Sequence, residues 1–270
     1  MFSNRKIGVI GVGNMAGAIL SGIIESGIEQ PGNIVLYDIC ADKMDKFIGM
    51  GCRSASCEKE LVKQCDTVIL AIKPQGFESL LKDISDVLDD SKLVISIAAG
   101  ISIDYINSVT GKTLSVVRCL PNTPMILGKG VSALTYRAPA TAEQYEYAAS
   151  IFRSCGKVFF VDEDRFDEII CVHSSSPAYF FYVVKAMIDS AAVQGIARKQ
   201  ASEMIVGTIL GAAEMLEKSG LDCDELITMV ASKGGTTEAS LRSFEENNLS
   251  KVFDDAMKAC TRRAKELGGK

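Results

Sequence analysis

One histidine in 270 residues leaves no obvious catalytic triad. Nine cysteines are an odd count, scattered from Cys40 to Cys260 without a single CxxC pair. That distribution argues against a metal site or a disulfide framework and fits reduced thiols used as small apolar packing. No basic block is present either. With 29 lysines and arginines against 34 acidic residues the chain is mildly negative, and nucleic acid is not an expected partner. Apolar runs such as Ala178–Val184 are interrupted by Lys185 and Asp189 too soon to span a bilayer, so no membrane association is expected. No targeting segment is expected ahead of the first strand, which begins at about Arg5, and the expected location is cytoplasmic. Internal repeats and low-complexity linkers are also missing, which places a tight domain border near 160–168.

What is present divides into two halves. The first ~160 residues alternate between short β-rich runs and helical stretches. The expected strands are Lys6–Ile10, Asn33–Tyr37, Thr67–Ile72, Leu93–Ile97, Ser115–Cys119, Val131–Tyr136 and Lys157–Val161. Continuous apolar runs such as Val68–Ile72 suit parallel strands covered on both faces. Helices fit at Asn14–Ser26, Ala41–Met50, Glu58–Lys63, Phe77–Leu88, Ser102–Val109 and Thr141–Ser154, the last opened by a capping box of Thr141 and Gln144. From about Arg165 the strands stop. Helices are expected over Arg165–Gln194, Arg198–Lys218, Asp222–Val230 and Glu238–Asn247, with a final one through Lys265. In the second of these, Met204, Ile205, Val206, Ile209, Leu210, Met215 and Leu216 cover most of the circumference. Such a helix must be buried on several sides, which a small bundle achieves by pairing with a second copy. The fold class is therefore α/β: a doubly wound Rossmann-type domain over 1–164, then an all-α domain over 165–270 for substrate and dimerisation.

Two glycine-rich turns carry the functional signal. Gly11-Val-Gly13-Asn14-Met15-Ala16 follows a strand and opens a helix. Gly11 permits the tight turn, Gly13 lets the backbone approach a pyrophosphate, and Ala16 lets the helix pack closely on the strand. Asp38 closes the second strand, where a carboxylate binds the ribose hydroxyls of NADH and repels the 2′-phosphate of NADPH, which favours NADH. Ala71, Ile72, Lys73 and Pro74 end the third long strand, and Ile97, Ala98 and Ala99 the next, at the edge where nucleotides bind. Two prolines around Asn122-Thr123 make a rigid loop at the same edge. Gly234-Gly235-Thr236-Thr237 reads as a second, small-anion grip more than two hundred residues later. A cofactor and a small acidic substrate brought together outline a dehydrogenase or reductase.

Taken together, these segments resemble the pyrroline-5-carboxylate reductase family over essentially the whole chain. The resemblance is carried by Ile10–Ala16, Ala71–Pro74, Ala98–Gly100, Pro121–Pro124, Ser175–Ala178 and above all Val230–Thr237. It implies reduction of 1-pyrroline-5-carboxylate to L-proline by hydride transfer from NADPH or NADH, in a homodimer built into a higher oligomer. It also implies that Thr237 meets the ring nitrogen, while Ser232, Gly234, Gly235 and Thr236 help to receive the substrate carboxylate. Three departures stand out: Lys233 where the family usually has proline, His173 in a run usually of serine and glycine, and Asp38. Two rivals remain open at this level. One is another enzyme of similar layout, a β-hydroxyacid dehydrogenase, for which Lys185 is the candidate acid–base group, or a broader imine reductase. A non-catalytic regulatory paralogue would bind nucleotide without turnover.

Overall fold

The computed structural model describes residues 5–267. The chain divides into two compact units, Met1–Ser175 with Cys260–Lys270, and Ser176–Ala259.

The first unit is built on an eight-stranded sheet: β1 (Ile7–Ile10), β2 (Ile34–Tyr37), β3 (Arg53–Ser54), β4 (Thr67–Leu70), β5 (Leu93–Ser96), β6 (Ser115–Leu120), β7 (Gly130–Tyr136) and β8 (Gly156–Phe160). The order is β3-β2-β1-β4-β5-β6-β7-β8. Strands β3 to β6 run parallel, so the chain switches direction of winding at β1 and opens a crevice there. Between the strands lie α1 (Asn14–Ser26), α2 (Asp45–Gly49), α3 (Glu58–Gln64), α4 (Phe77–Ile84), α5 (Ile103–Thr110), α6 (Ala142–Arg153) and α7 (Phe166–Ile169). Successive residues of β1 face opposite layers. Ile7 and Val9 pack with Ile19, Leu20 and Phe152, and Ile10 packs with Leu81, Ile84 and Ile106. Each such side chain withdrawn from water contributes about 1.5–3 kcal/mol, which is what makes the sheet a rigid platform for its loops. The Thr141 hydroxyl accepts the Gln144 N–H, and the Gln144 side chain returns a bond to the Thr141 N–H, so the expected capping box starts α6.

The second unit contains α8 (Ser176–Val193), α9 (Arg198–Lys218), α10 (Cys223–Val230), α11 (Thr236–Glu246) and most of α12 (Leu249–Leu267). Asp222 and Glu225 cap α10 reciprocally. Among the described residues α8, α10 and α11 bury none, and α9 buries Ala201 alone. Phe181, Leu210 and Met229 are 69%, 67% and 65% exposed.

Two expected helices require correction, and two features of the sheet went unread. The short strand β3 was not foreseen, because two exposed polar residues carry no apolar pattern. β7 is antiparallel to β6, since a hairpin-like loop through Pro121–Lys129 returns the chain beside its own strand. The helix expected over Ala41–Met50 is a 3-10 turn, Ala41–Met44, leading into the short α2. The long helix expected over Arg165–Gln194 is broken: α7 runs into a π-helical turn, Ile170–Ser174, before α8 begins. Among the described residues no helix is long and apolar enough to cross a membrane, and no cluster of three His, Cys, Asp or Glu residues is placed to hold a metal ion.

Candidate active site

Strand register builds the first half of the site. Ile10 stands opposite Tyr37 and Leu70, and Leu70 opposite Ser96. The residues that follow, Asp38, Gly11, Ala71 and Ile97, therefore leave four adjacent strands at one carboxyl edge, at the strand spacing of about 4.8 Å. Gly11 has φ +90°, and a Cβ there would lie 2.8 Å from the Ala71 carbonyl oxygen. Its N–H donates to the Tyr37 carbonyl at 2.8 Å, pinning the turn between β2 and β4. Gly13 caps α1 without a side-chain cap, so the first N–H groups of that helix have no partner within it. A Cβ on Gly13 would meet nothing within 4 Å. That open cradle over a helix N-terminus suits the pyrophosphate of a dinucleotide, whose charge the helix dipole and free N–H groups favour.

A cleft of about 530 Å³ opens over this edge, lined by Gly11, Gly13, Asp38, Ala71, Ile72 and Lys73 among the expected residues. Tyr37, Ile39, Lys43, Glu58, Ser79 and Asp83 line it too and went unread in the sequence. Most of these come from α3, α4 and the 3-10 turn, which fold over the rim and have no motif of their own. Lys43 alone left a signal, as a lysine one turn beyond the acidic end of β2. A second cavity of about 470 Å³ is lined by Gly13 and Asn14, with Ser21, Lys43, Lys46 and Phe47. Met15 packs against the core, and Ala16 is buried within it. Pro74, Ile97, Ala98 and Ala99 lie at the same edge but line neither cavity.

Asp38 is buried and heavily engaged. One carboxylate oxygen accepts the Val12 N–H at 2.7 Å, and the other accepts the Cys40 N–H at 2.8 Å and the Lys43 ammonium at 3.3 Å. Burial alone would push this carboxyl up, but the Cys40 and Val12 N–H groups and Lys43 outweigh it and hold it below the usual carboxylate value.

The second glycine turn lies in the helical unit. Gly234 has φ +74°, and its N–H donates to a Glu238 carboxylate oxygen at 2.7 Å. The Gly235 N–H donates to the Ser232 carbonyl at 2.9 Å. A Cβ on Gly235 would stand 2.6 Å from the Ser232 hydroxyl, so only glycine lets that serine tuck under the turn. Both glycine N–H groups therefore have internal acceptors, and the N–H groups with no acceptor in their own helix begin at Thr236, the first residue of α11. Thr237 follows it, partly buried, and lines an apolar cavity of about 390 Å³ with Met215, Leu226 and Val230.

The remaining flagged residues have structural surroundings. The His173 ring nitrogens lie 3.0 Å from the Ile169 carbonyl and 2.8 Å from the Leu120 carbonyl, inside the π-helical turn. Asn122 donates to the His173 carbonyl and accepts from the Val131 N–H, so the rigid loop is held from both sides. Lys185 is ion-paired to Asp189 at 2.6 Å on α8 and is largely exposed. Lys233 is exposed.

Comparison with known proteins covers the same ground. The family model described as pyrroline-5-carboxylate reductase dimerisation matches residues 163–267, and that described as NADP oxidoreductase, coenzyme F420-dependent, matches residues 6–100. The pyrroline-5-carboxylate reductase of Methanosarcina acetivorans is 35% identical, with 99% of each chain covered. That of Escherichia coli (strain K12) is 34% identical over 97% of this chain and 98% of its own. A crystal structure of Plasmodium falciparum pyrroline carboxylate reductase with NADP bound is similar at a TM-score of 0.90 and 29% identity, covering 98% of each chain.

Proposed function

From its membership of the pyrroline-5-carboxylate reductase family, to which this chain belongs, we propose that it makes L-proline by reducing the ring C=N bond of 1-pyrroline-5-carboxylate with NADPH or NADH. The observation that carries this reading is the near-complete match at 34–35% identity, which takes in both glycine turns in one chain.

The bound nicotinamide supplies a hydride. The chain's own residues place and hold the other reactant. Gly11 and Gly13 shape the loop, and Asn14, Met15 and Ala16 open the helix whose N–H groups take the pyrophosphate. Ala71 to Pro74 and Ile97 to Ala99, at the carboxyl edge of the sheet, would hold the rest of the cofactor. The head of α11 receives the substrate carboxylate through the N–H groups of Thr236 and Thr237, while Ser232, Gly234 and Gly235 set the shape of that turn. Thr237 Oγ1 meets the ring nitrogen and orients the C=N bond. In the reaction a C–H bond forms at the ring carbon, the π pair moves onto the protonated nitrogen, and the secondary amine results. No strong acid or base is needed once the imine carries its proton. The rate comes chiefly from orientation, worth about 7–11 kcal/mol at its upper range.

Residues 1–164 serve as the dinucleotide domain and 165–270 as the substrate and dimerisation domain. The protein works in the cytoplasm as a homodimer that assembles further. Its partners are its small-molecule substrate and its own copies, with neither nucleic acid nor a membrane among them.

The test is direct. Purified protein incubated with 1-pyrroline-5-carboxylate should oxidise NADPH or NADH and release proline. No oxidation of either cofactor would overturn the assignment. Lys185→Met should retain activity, whereas its loss would favour the hydroxyacid dehydrogenase chemistry.

A further inference from the structure

Every oxygen of the Asp38 carboxylate already has a partner, and two of the three partners are backbone N–H groups. The Val12 N–H belongs to the glycine loop itself, between Gly11 and Gly13. The Cys40 N–H belongs to the turn after β2. The carboxylate therefore braces β2 to the nucleotide loop. The third partner differs in kind. Lys43 is 45% exposed, and its link to Asp38 at 3.3 Å is one that solvent and salt weaken. It stands on the 3-10 turn and lines both nucleotide-side cavities.

Those cavities differ in charge. The larger carries three carboxylates, Asp38, Glu58 and Asp83, against Lys43 and Lys73. The other has no acidic residue among its lining and two lysines, Lys43 and Lys46, beside the head of α1. Lys46 lies 3.4 Å from the Ser21 hydroxyl on the same wall. A lysine at the border can leave its carboxylate without stranding it, because the two N–H bonds remain.

We propose that Lys43 is the residue by which this chain recognises a 2′-phosphorylated adenosine, exchanging its ion pair with Asp38 for one with the phosphate, while Asp38 braces the glycine loop for either cofactor. This rests on reading the glycine loop as the dinucleotide site. With the 2′-phosphate absent, Lys43 stays on Asp38 and neutralises a charge that would otherwise face the ribose. With it present, the same ammonium cancels the phosphate's repulsion from Asp38 and adds a charge-assisted bond. The chain then accepts both cofactors and favours NADPH, and Asp38 does not select against it.

The test is binding of adenosine 2′,5′-bisphosphate and adenosine 5′-monophosphate to the whole protein by titration calorimetry, which needs no turnover. The wild-type protein should bind the bisphosphate more tightly. Lys43→Met should weaken the bisphosphate about tenfold, leave the monophosphate unchanged, and lower affinity for NADPH but not NADH. Lys43→Arg should restore the preference. Asp38→Asn, checked for native circular dichroism, should weaken both nucleotides alike. Equal losses for both nucleotides in Lys43→Met, or none, would overturn the assignment. So would an Asp38→Asn protein that gains affinity for the bisphosphate while losing it for the monophosphate, for Asp38 would then be the selector. A protein that shows the expected binding pattern but does not reduce pyrroline-5-carboxylate would sink the proposed reaction and leave Lys43 its role.

Discussion

At the scale of single residues the two glycines of the nucleotide loop separate fold from function. Gly11 combines φ +90° with a neighbour that cannot yield, since the Ala71 carbonyl 2.8 Å from its would-be Cβ belongs to backbone just beyond β4. Gly11→Ala should lower stability by about 2 kcal/mol or more, from the left-handed conformation and the clash together, and should also weaken NADPH binding. Gly13→Ala meets nothing within 4 Å, so its unfolding curve should stay put while NADPH affinity falls about tenfold or more, because the added methyl fills the cradle. Urea titration and cofactor fluorescence read the two effects apart, and equal behaviour of the two variants would refute the division. Thr237 calls for a finer cut. Thr237→Val keeps the shape and removes the hydroxyl, so kcat should drop about tenfold with the KM for cofactor unchanged, and Thr237→Ser should keep most of the rate. Unaltered kinetics in the valine variant would remove Thr237 from the reaction. Legibility at this scale was uneven. The type and spacing of Gly11, Gly13 and Asp38 could be read along the chain, but the partners of Asp38 could not, because the Val12 N–H is backbone and carries no side-chain pattern.

At the scale of elements, apolar runs told most of the story of the parallel strands. β1, β2, β4 and β5 are covered on both faces, and that need is written as short runs of Ile, Val and Leu broken only by Gly8, Tyr37, Thr67 and Ser96. Direction is not written there, which is why the antiparallel β7 looked like any other strand. The break between α7 and α8 was equally silent, because Ile170–Ser174 continues the composition of the helix around it and the π-turn depends on His173 and Asn122 reaching each other across 51 residues of sequence. Caps, by contrast, are local and were visible. Thr141→Ala removes the acceptor for the Gln144 N–H at the head of α6, and should cost about 1 kcal/mol in urea unfolding while leaving cofactor affinity unchanged. Equal stability would mean that water replaces the hydroxyl at that exposed end.

At the scale of the molecule, the helical unit has side chains to bury and too little of its own structure to bury them in. Phe181, Leu210 and Met229 stand about two-thirds exposed on α8, α9 and α10. Together with Phe180, Tyr182 and Met204 they form far more apolar surface than single scattered residues explain. A second copy covering such faces gains roughly 1.5–3 kcal/mol for each large side chain withdrawn from water. Folding of this unit should then be coupled to association, and the melting temperature should rise with protein concentration. Leu210→Glu places a carboxylate where the partner must pack. It should shift the protein to monomer or aggregate in light scattering, lower the melting temperature, and remove activity, although Leu210 is assigned no part in the chemistry. A matched change on the sheet unit, Lys59→Glu at an exposed ion pair with Asp86, should leave assembly untouched, which keeps the effect from being one of added charge alone. A wild-type protein that is monomeric across a hundredfold range of concentration, with a constant melting temperature, would show that these helices need no second copy.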